Sequence, residues 1–239
     1  MIKDRTAQLI FQTAFCTLGI VGVIAGIGLF EMTFRWDFYV YFTNLSNYLC
    51  LIVGISELIH TARRTEDEYM TVHPLLKFIA LLGILLTFLV FNLLLAHADN
   101  RKPEANFKID SVLAHIVLPL MYTADWVLFY EKGMVKGSWP FLSTLFPLGY
   151  LAFIYTHAAL HKFDHTIMNF DRTTHLIYPY FFLDPVKVGI SGVVLWCIGI
   201  LVAFIAGGFI LMGVDRLLMK INDQRRPSLS TQPEREEKD

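Results

Sequence analysis

The chain has 239 residues, a formal net charge of −1, 55% hydrophobic and 17% charged residues, and a mean hydropathy of +0.50. Soluble domains carry roughly 25% charged residues, so this composition excludes a disordered chain, a collagen-like chain and an ordinary soluble enzyme, whose core has no room for the apolar excess. The near-zero charge also lacks the basic field that a nucleic-acid partner requires, and none is expected.

The apolar residues fall in six blocks, 8–30, 39–59, 75–96, 112–130, 141–159 and 186–214. Crossing a hydrocarbon core of about 30 Å takes about 20 helical residues. Such blocks are too long for barrel strands, and only helices or closed barrels satisfy their backbone in lipid. The expected fold is all-α: a polytopic membrane bundle of six transmembrane helices over residues 1–217, then a polar, disordered tail over 218–239.

The first block follows Met1-Ile2-Lys3-Asp4-Arg5, as in a signal peptide. Its apolar run exceeds a signal core and no small-residue cleavage site follows, so a first membrane helix is expected. Gly19, Gly22 and Gly26 in this block, like Gly189, Gly192 and Gly199 in the sixth, suit close helix packing or a homodimer interface.

The second block opens Tyr41-Phe42-Thr43-Asn44-Leu45-Ser46-Asn47-Tyr48. Thr43, Ser46 and Asn47 stand at i, i+3 and i+4 and so share one face. That face becomes apolar through Cys50 and Gly54. Interhelical hydrogen bonding and a functional site both fit. Glu57, and Asn92 in the third block, read as structural groups of the inner half.

The fourth block carries His115, Pro119, Tyr122, Asp125 and Trp126. His115 and Thr43 fall at similar depth near the outer ends of their helices. A hydroxyl and an imidazole at one depth suit a nucleophile and its base. Asp125 lies ten residues further on, about 15 Å along the axis, too far to orient His115. It reads as a buried carboxylate paired with a polar group on another helix.

His157, His161 and His165 form a four-residue repeat, either an interfacial cluster or a weaker candidate metal stripe. The loop after the fifth block ends Tyr178-Pro179-Tyr180-Phe181-Phe182-Leu183-Asp184-Pro185. Its aromatics suit a membrane interface. Asp184 either orients His115 or caps the sixth helix, and Pro185 favours the cap. Cys16, Cys50 and Cys197 read as small packing residues without metal-type spacing.

With the N-terminus inside, thirteen Lys and Arg lie on the inner side, Lys77 among them, and seven on the outer side. That excess favours both termini in the cytoplasm.

Three features together resemble a known family. They are Phe42-Thr43-Asn44-Leu45, His115-Ile116-Val117-Leu118-Pro119, and Ile177-Tyr178-Pro179 through Leu183-Asp184, supported by Gly149-Tyr150-Leu151 and Tyr155-Thr156-His157. Their order and placement resemble the androgen-induced protein family of six-helix membrane proteins, which includes the androgen-dependent TFPI-regulating protein, and more closely its bacterial relatives. The resemblance spans roughly residues 7–214. It implies an intramembrane threonine hydrolase cleaving fatty acid esters of hydroxy fatty acids or similar acyl esters, without cofactor. By resemblance the nucleophile falls on Thr43 and the second essential residue on His115. A bacterial cytoplasmic membrane and a membrane lipid-ester substrate follow from the same likeness. Asn44, Asn47, Tyr178, His157 and Asp184 are the candidate oxyanion donors and orienting groups. A small-molecule or ion transporter lined by Thr43, Asn47, His115 and Asp125, a metal-dependent lipid-modifying enzyme on the histidine stripe, and a non-catalytic scaffold stay open.

Overall fold

The computed structural model describes residues 2–35, 38–64, 71–97, 103–161 and 178–224. The described residues are mostly helical and contain no strand. Among the described residues six helices are long and apolar enough to cross a membrane: α1 (Arg5–Gly26), α2 (Phe42–Arg63), α3 (Pro74–Leu95), α4 (Ile109–Phe129), α5 (Trp139–Leu160) and α6 (Pro185–Gln224). The chain is therefore built as a multi-pass membrane protein. Many large apolar side chains face outward, including Ile10, Ile52, Leu93, Leu120, Ile190 and Ile210, as a lipid-facing surface requires.

Local signals set the ends of the helices. The Asp4 carboxylate accepts the N–H groups of Thr6 at 2.8 Å and Ala7 at 3.1 Å, capping α1. Pro74 opens α3 and Pro185 opens α6, where a missing N–H costs nothing. Asp184 Oδ1 accepts the Val186 N–H at 2.9 Å, the capping role of its two expected alternatives. Gly189 adopts φ +72° and kinks α6 just after its first turn, a left-handed conformation that glycine takes without strain. Beyond the kink α6 runs unbroken to Gln224, further than the expected apolar block.

Helix α2 packs against α1, α3 and α4, while α5 and α6 lie on the α3 side. Glycines set the closest approaches. A Cβ on Gly19 would lie 2.8 Å from Leu51, and one on Gly22 would touch Leu113 and Leu118. Both glycines thus serve packing within the chain. The core around α1–α4 is apolar, with Cys50, Val53, Phe78, Leu81 and Ile84 at most 1% exposed. This dry layer divides two polar groups on α2, Thr43, Ser46 and Asn47 at one end and Glu57 and Thr61 at the other. Asp215 of α6 accepts the N–H groups of Gly133 at 3.0 Å and Val135 at 3.1 Å, pinning the α4–α5 turn.

Two sequence expectations need correction. Asn92 lies in the last turns of α3, at the Thr43 end, because α3 runs antiparallel to α2. Lys77, counted with the inner loop charges, is buried in α3 between Glu57 and Asp125. Asp125 does pair with a group on another helix, as expected, and that group is Lys77.

Candidate active site

Thr43 is the second residue of α2. The first N–H groups of a helix have no acceptor within it, and Tyr41 supplies no side-chain cap. The start of α2 is fixed from outside instead. Asn44 Nδ2 donates to Phe38 O at 2.5 Å, and Tyr150 Oη donates to Val40 O at 2.9 Å. The Tyr180 phenol faces this helix end. Burial pushes it up, opposed by the Thr43 hydroxyl and the backbone of Thr43 and Phe42. Tyr180 thus joins Thr43 although Tyr178, which packs on Tyr155 at 5.6 Å, was the tyrosine expected there.

His115 sits in a π-helical turn of α4, Leu113–Val117. Its Nδ1 donates to Ser111 O at 2.8 Å and lies 3.3 Å from Ser111 Oγ. That bond places a proton on Nδ1, so in a neutral ring the basic lone pair lies on Nε2. The ring stacks on Phe91, centroids 3.5 Å apart and planes at 11°. Phe91 opens a second π-helical turn, Phe91–Leu95 of α3. Such turns recur at functional sites.

The His115…Pro119 spacing explains the turn. Pro119 has no N–H, so the His115 carbonyl lacks its helical donor. The Leu118 N–H bonds Leu113 O across the π turn, which deprives the Ala114 carbonyl as well. Two amides from other helices replace these donors. Asn92 Nδ2 donates to His115 O at 3.2 Å, and Asn47 Nδ2 donates to Ala114 O at 3.1 Å. Asn47 Nδ2 also donates to Thr43 O at 2.8 Å. One side chain therefore ties the Thr43 turn to the residue before His115, and α2 and α4 are neighbours there.

Both Asn47 N–H bonds are thereby spent, so its amide positions helices instead of donating to an oxyanion. Asn44 likewise holds the Phe38 turn. His157 Nε2 lies 3.2 Å from Tyr39 Oη, and Asp184 caps α6; the described contacts bring neither to His115. The side chains of His161 and His165 lie outside the described residues, as does the tail beyond 224. Among the described residues no three His, Cys, Asp or Glu side chains group as metal ligands.

Thr43 opens onto a narrow apolar cleft of about 60 Å³ between α2, α3, α5 and α6. Its walls include Leu86, Val90, Phe91, Tyr150, Phe182 and Ile200, and its polar groups are Thr43, Thr87 and Tyr180. Phe91 is a wall of the cleft and also stacks on His115. Leu86, Val90 and Ile200 also line an outer groove with Leu195, Trp196 and Gly199, so the cleft continues to the lipid-facing seam of α3 and α6.

The Asn92 and Tyr180 roles were missed from sequence. A proline four residues after His115 was the available signal for Asn92: it orphans one carbonyl, which another helix must then satisfy. No family model, curated protein or solved structure matched the chain in comparisons with known proteins.

Proposed function

We propose that the chain is an intramembrane ester hydrolase, with Thr43 as nucleophile and His115 as base, acting on long acyl esters. The observation that carries this reading is the His115 imidazole. Ser111 fixes its tautomer, Phe91 fixes its plane, and Asn47 links its turn to Thr43. The motif resemblance to the androgen-induced protein family points to the same two residues.

In this reading His115 Nε2 takes the Thr43 proton, directly or through one water, as Oγ1 attacks the acyl carbonyl. The Tyr180 phenol and the N–H groups at the start of α2 supply donors for the oxyanion. The proton passes to the leaving alcohol, and water then releases the acid from the acyl-threonine. The apolar cleft holds the acyl chain, which enters from lipid between α3 and α6. The Thr43 end faces outward across a bacterial cytoplasmic membrane, with both termini in the cytoplasm, in keeping with the Lys and Arg excess.

The test is labelling of detergent-solubilised protein by a fluorophosphonate, together with hydrolysis of a long-chain acyl ester. Thr43→Ala is expected to abolish both, and His115→Asn to reduce both by at least 10²-fold. Labelling that persists unchanged in Thr43→Ala overturns the proposal.

A further inference from the structure

The Thr43 cleft, at about 60 Å³, has room for only a handful of water-sized groups, and so cannot enclose a long chain by itself. It has a wider neighbour. Leu86 and Val90 of α3 and Ile200 of α6 are walls both of the cleft and of a groove of about 360 Å³. On α3 the two spaces are faced by adjacent rows of side chains. Thr87, Phe91 and Leu95 line the cleft alone, whereas Leu86 and Val90, one helical turn apart, line both. On α6 the groove is walled by Leu195, Gly199 and Ala203, again at one-turn spacing.

Gly199 keeps the groove open. A Cβ built there would meet nothing within 4 Å, whereas one on Gly19 would strike Leu51. Gly199 therefore does not serve close packing within the chain; it leaves space opposite Leu86 and Val90. The depth of that space matters. Thr43 is the second residue of α2, and Leu95, at the end of α3, lines the same cleft. Leu86 stands nine residues before Leu95, about 13 Å along the axis. The path from Thr43 thus runs from the end of the bundle towards the middle of the membrane.

We infer that this groove binds the distal part of an unbranched acyl chain whose ester lies at Thr43, and that Gly199 sets how long a chain is accepted. The inference rests on the ester-hydrolase reading for the position of the carbonyl. Three observations choose the occupant. The groove opens on the lipid-facing seam of α3 and α6, where the surrounding medium is hydrocarbon chains. The cleft continuous with it is too narrow for a helix of about 10 Å diameter, whereas a single file of methylenes fits. An ester near the membrane surface with its chain directed to the centre is also the orientation of a lipid ester in a bilayer. A short chain ends inside the cleft. A long one passes Leu86, Val90 and Ile200 and comes to lie against Gly199.

The experiment photo-crosslinks a palmitate analogue with a terminal diazirine to detergent-solubilised full-length protein, and measures kcat/KM on a palmitoyl and a butyryl ester of one alcohol. Saturable crosslinks within residues 195–203, competed by unlabelled palmitate, are expected; they are kept in Thr43→Ala and lost in Gly199→Phe. The palmitoyl-to-butyryl ratio of kcat/KM is expected to fall about tenfold in Gly199→Phe. Ala203→Phe narrows the same wall and gives the same result if Gly199→Phe does not fold. Crosslinks that fail to saturate, or that mark Ile10 on the lipid-facing side of α1 equally, overturn the inference. So does a ratio or a crosslink that is unaltered in a folded variant. A disulfide-linked dimer of Gly199→Cys, formed in place of palmitate binding, makes the occupant a second copy of the chain and overturns it too. Saturable crosslinks in a protein that hydrolyses neither ester sustain the groove and overturn the hydrolase reading alone.

Discussion

The imidazole of His115 lies flat on the ring of Phe91, centroids 3.5 Å apart, and both residues belong to π-helical turns on adjacent helices. A stacked ring has its rotation restricted, and a base must be held in orientation to act. Phe91→Leu keeps an apolar wall but loses the stack. It is expected to lower ester hydrolysis about tenfold, or about 1.4 kcal/mol, while gel filtration shows an intact protein.

The missing N–H of Pro119 and the amide of Asn92 form a compensating pair. Asn92→Leu leaves the His115 carbonyl buried without that donor, which costs about 1–3 kcal/mol. Pro119→Ala returns a backbone N–H. The double variant Asn92→Leu/Pro119→Ala is expected to unfold at a higher temperature than Asn92→Leu alone. Additive losses in a thermal melt would refute the carbonyl account.

Tyr180 is the side chain facing the Thr43 hydroxyl and the first turn of α2. Tyr180→Phe keeps the ring and removes one donor. The expected loss is roughly 10²-fold in kcat with little change in KM, read from initial rates on a long-chain ester.

Lys77 is shared by two buried carboxylates. Lys77→Met leaves both without a counter-charge and is expected to cost about 3–5 kcal/mol. Combining it with Glu57→Gln and Asp125→Asn removes the charges together and should recover most of the loss. Chemical denaturation of the single and triple variants decides the point.

An ionic clasp joins the α1–α2 turn to the start of α4. Arg35 donates to Asp110 at 2.6 Å and to Glu31 at 2.9 Å, and Lys108 reaches Glu31 at 3.1 Å. Lys108 first, and then Arg35, hold the Glu31 carboxyl below its ordinary 4.5. A carboxyl held low stabilises the fold above its unfolded value, and that contribution is lost as pH falls. Arg35→Met should therefore lower Tm at pH 7, and the gap to the unmutated protein should narrow below pH 4.5. A gap that is constant with pH would show that the clasp carries no charge-dependent stability.

The amino-acid sequence by itself determined six membrane helices, because length and hydropathy are local properties and lipid leaves the backbone few alternatives. Asp184 as a cap and Asp125 as half of an ion pair were legible for the same reason: the neighbouring Pro185, and the cost of a lone charge in lipid, constrain each of them nearly alone. Which side chains meet was decided only by tertiary structure. Asn47 lies close to Thr43 in sequence, yet its role depends on a carbonyl of α4. Asn92 belongs at the His115 end because α3 is antiparallel to α2, and Lys77 leaves the loop count because two other helices each offer it a carboxylate. Tyr180 reaches Thr43 across a long connection whose length fixes no distance. Depth along a helix can be counted in residues, whereas contact between helices depends on how their faces turn and pack.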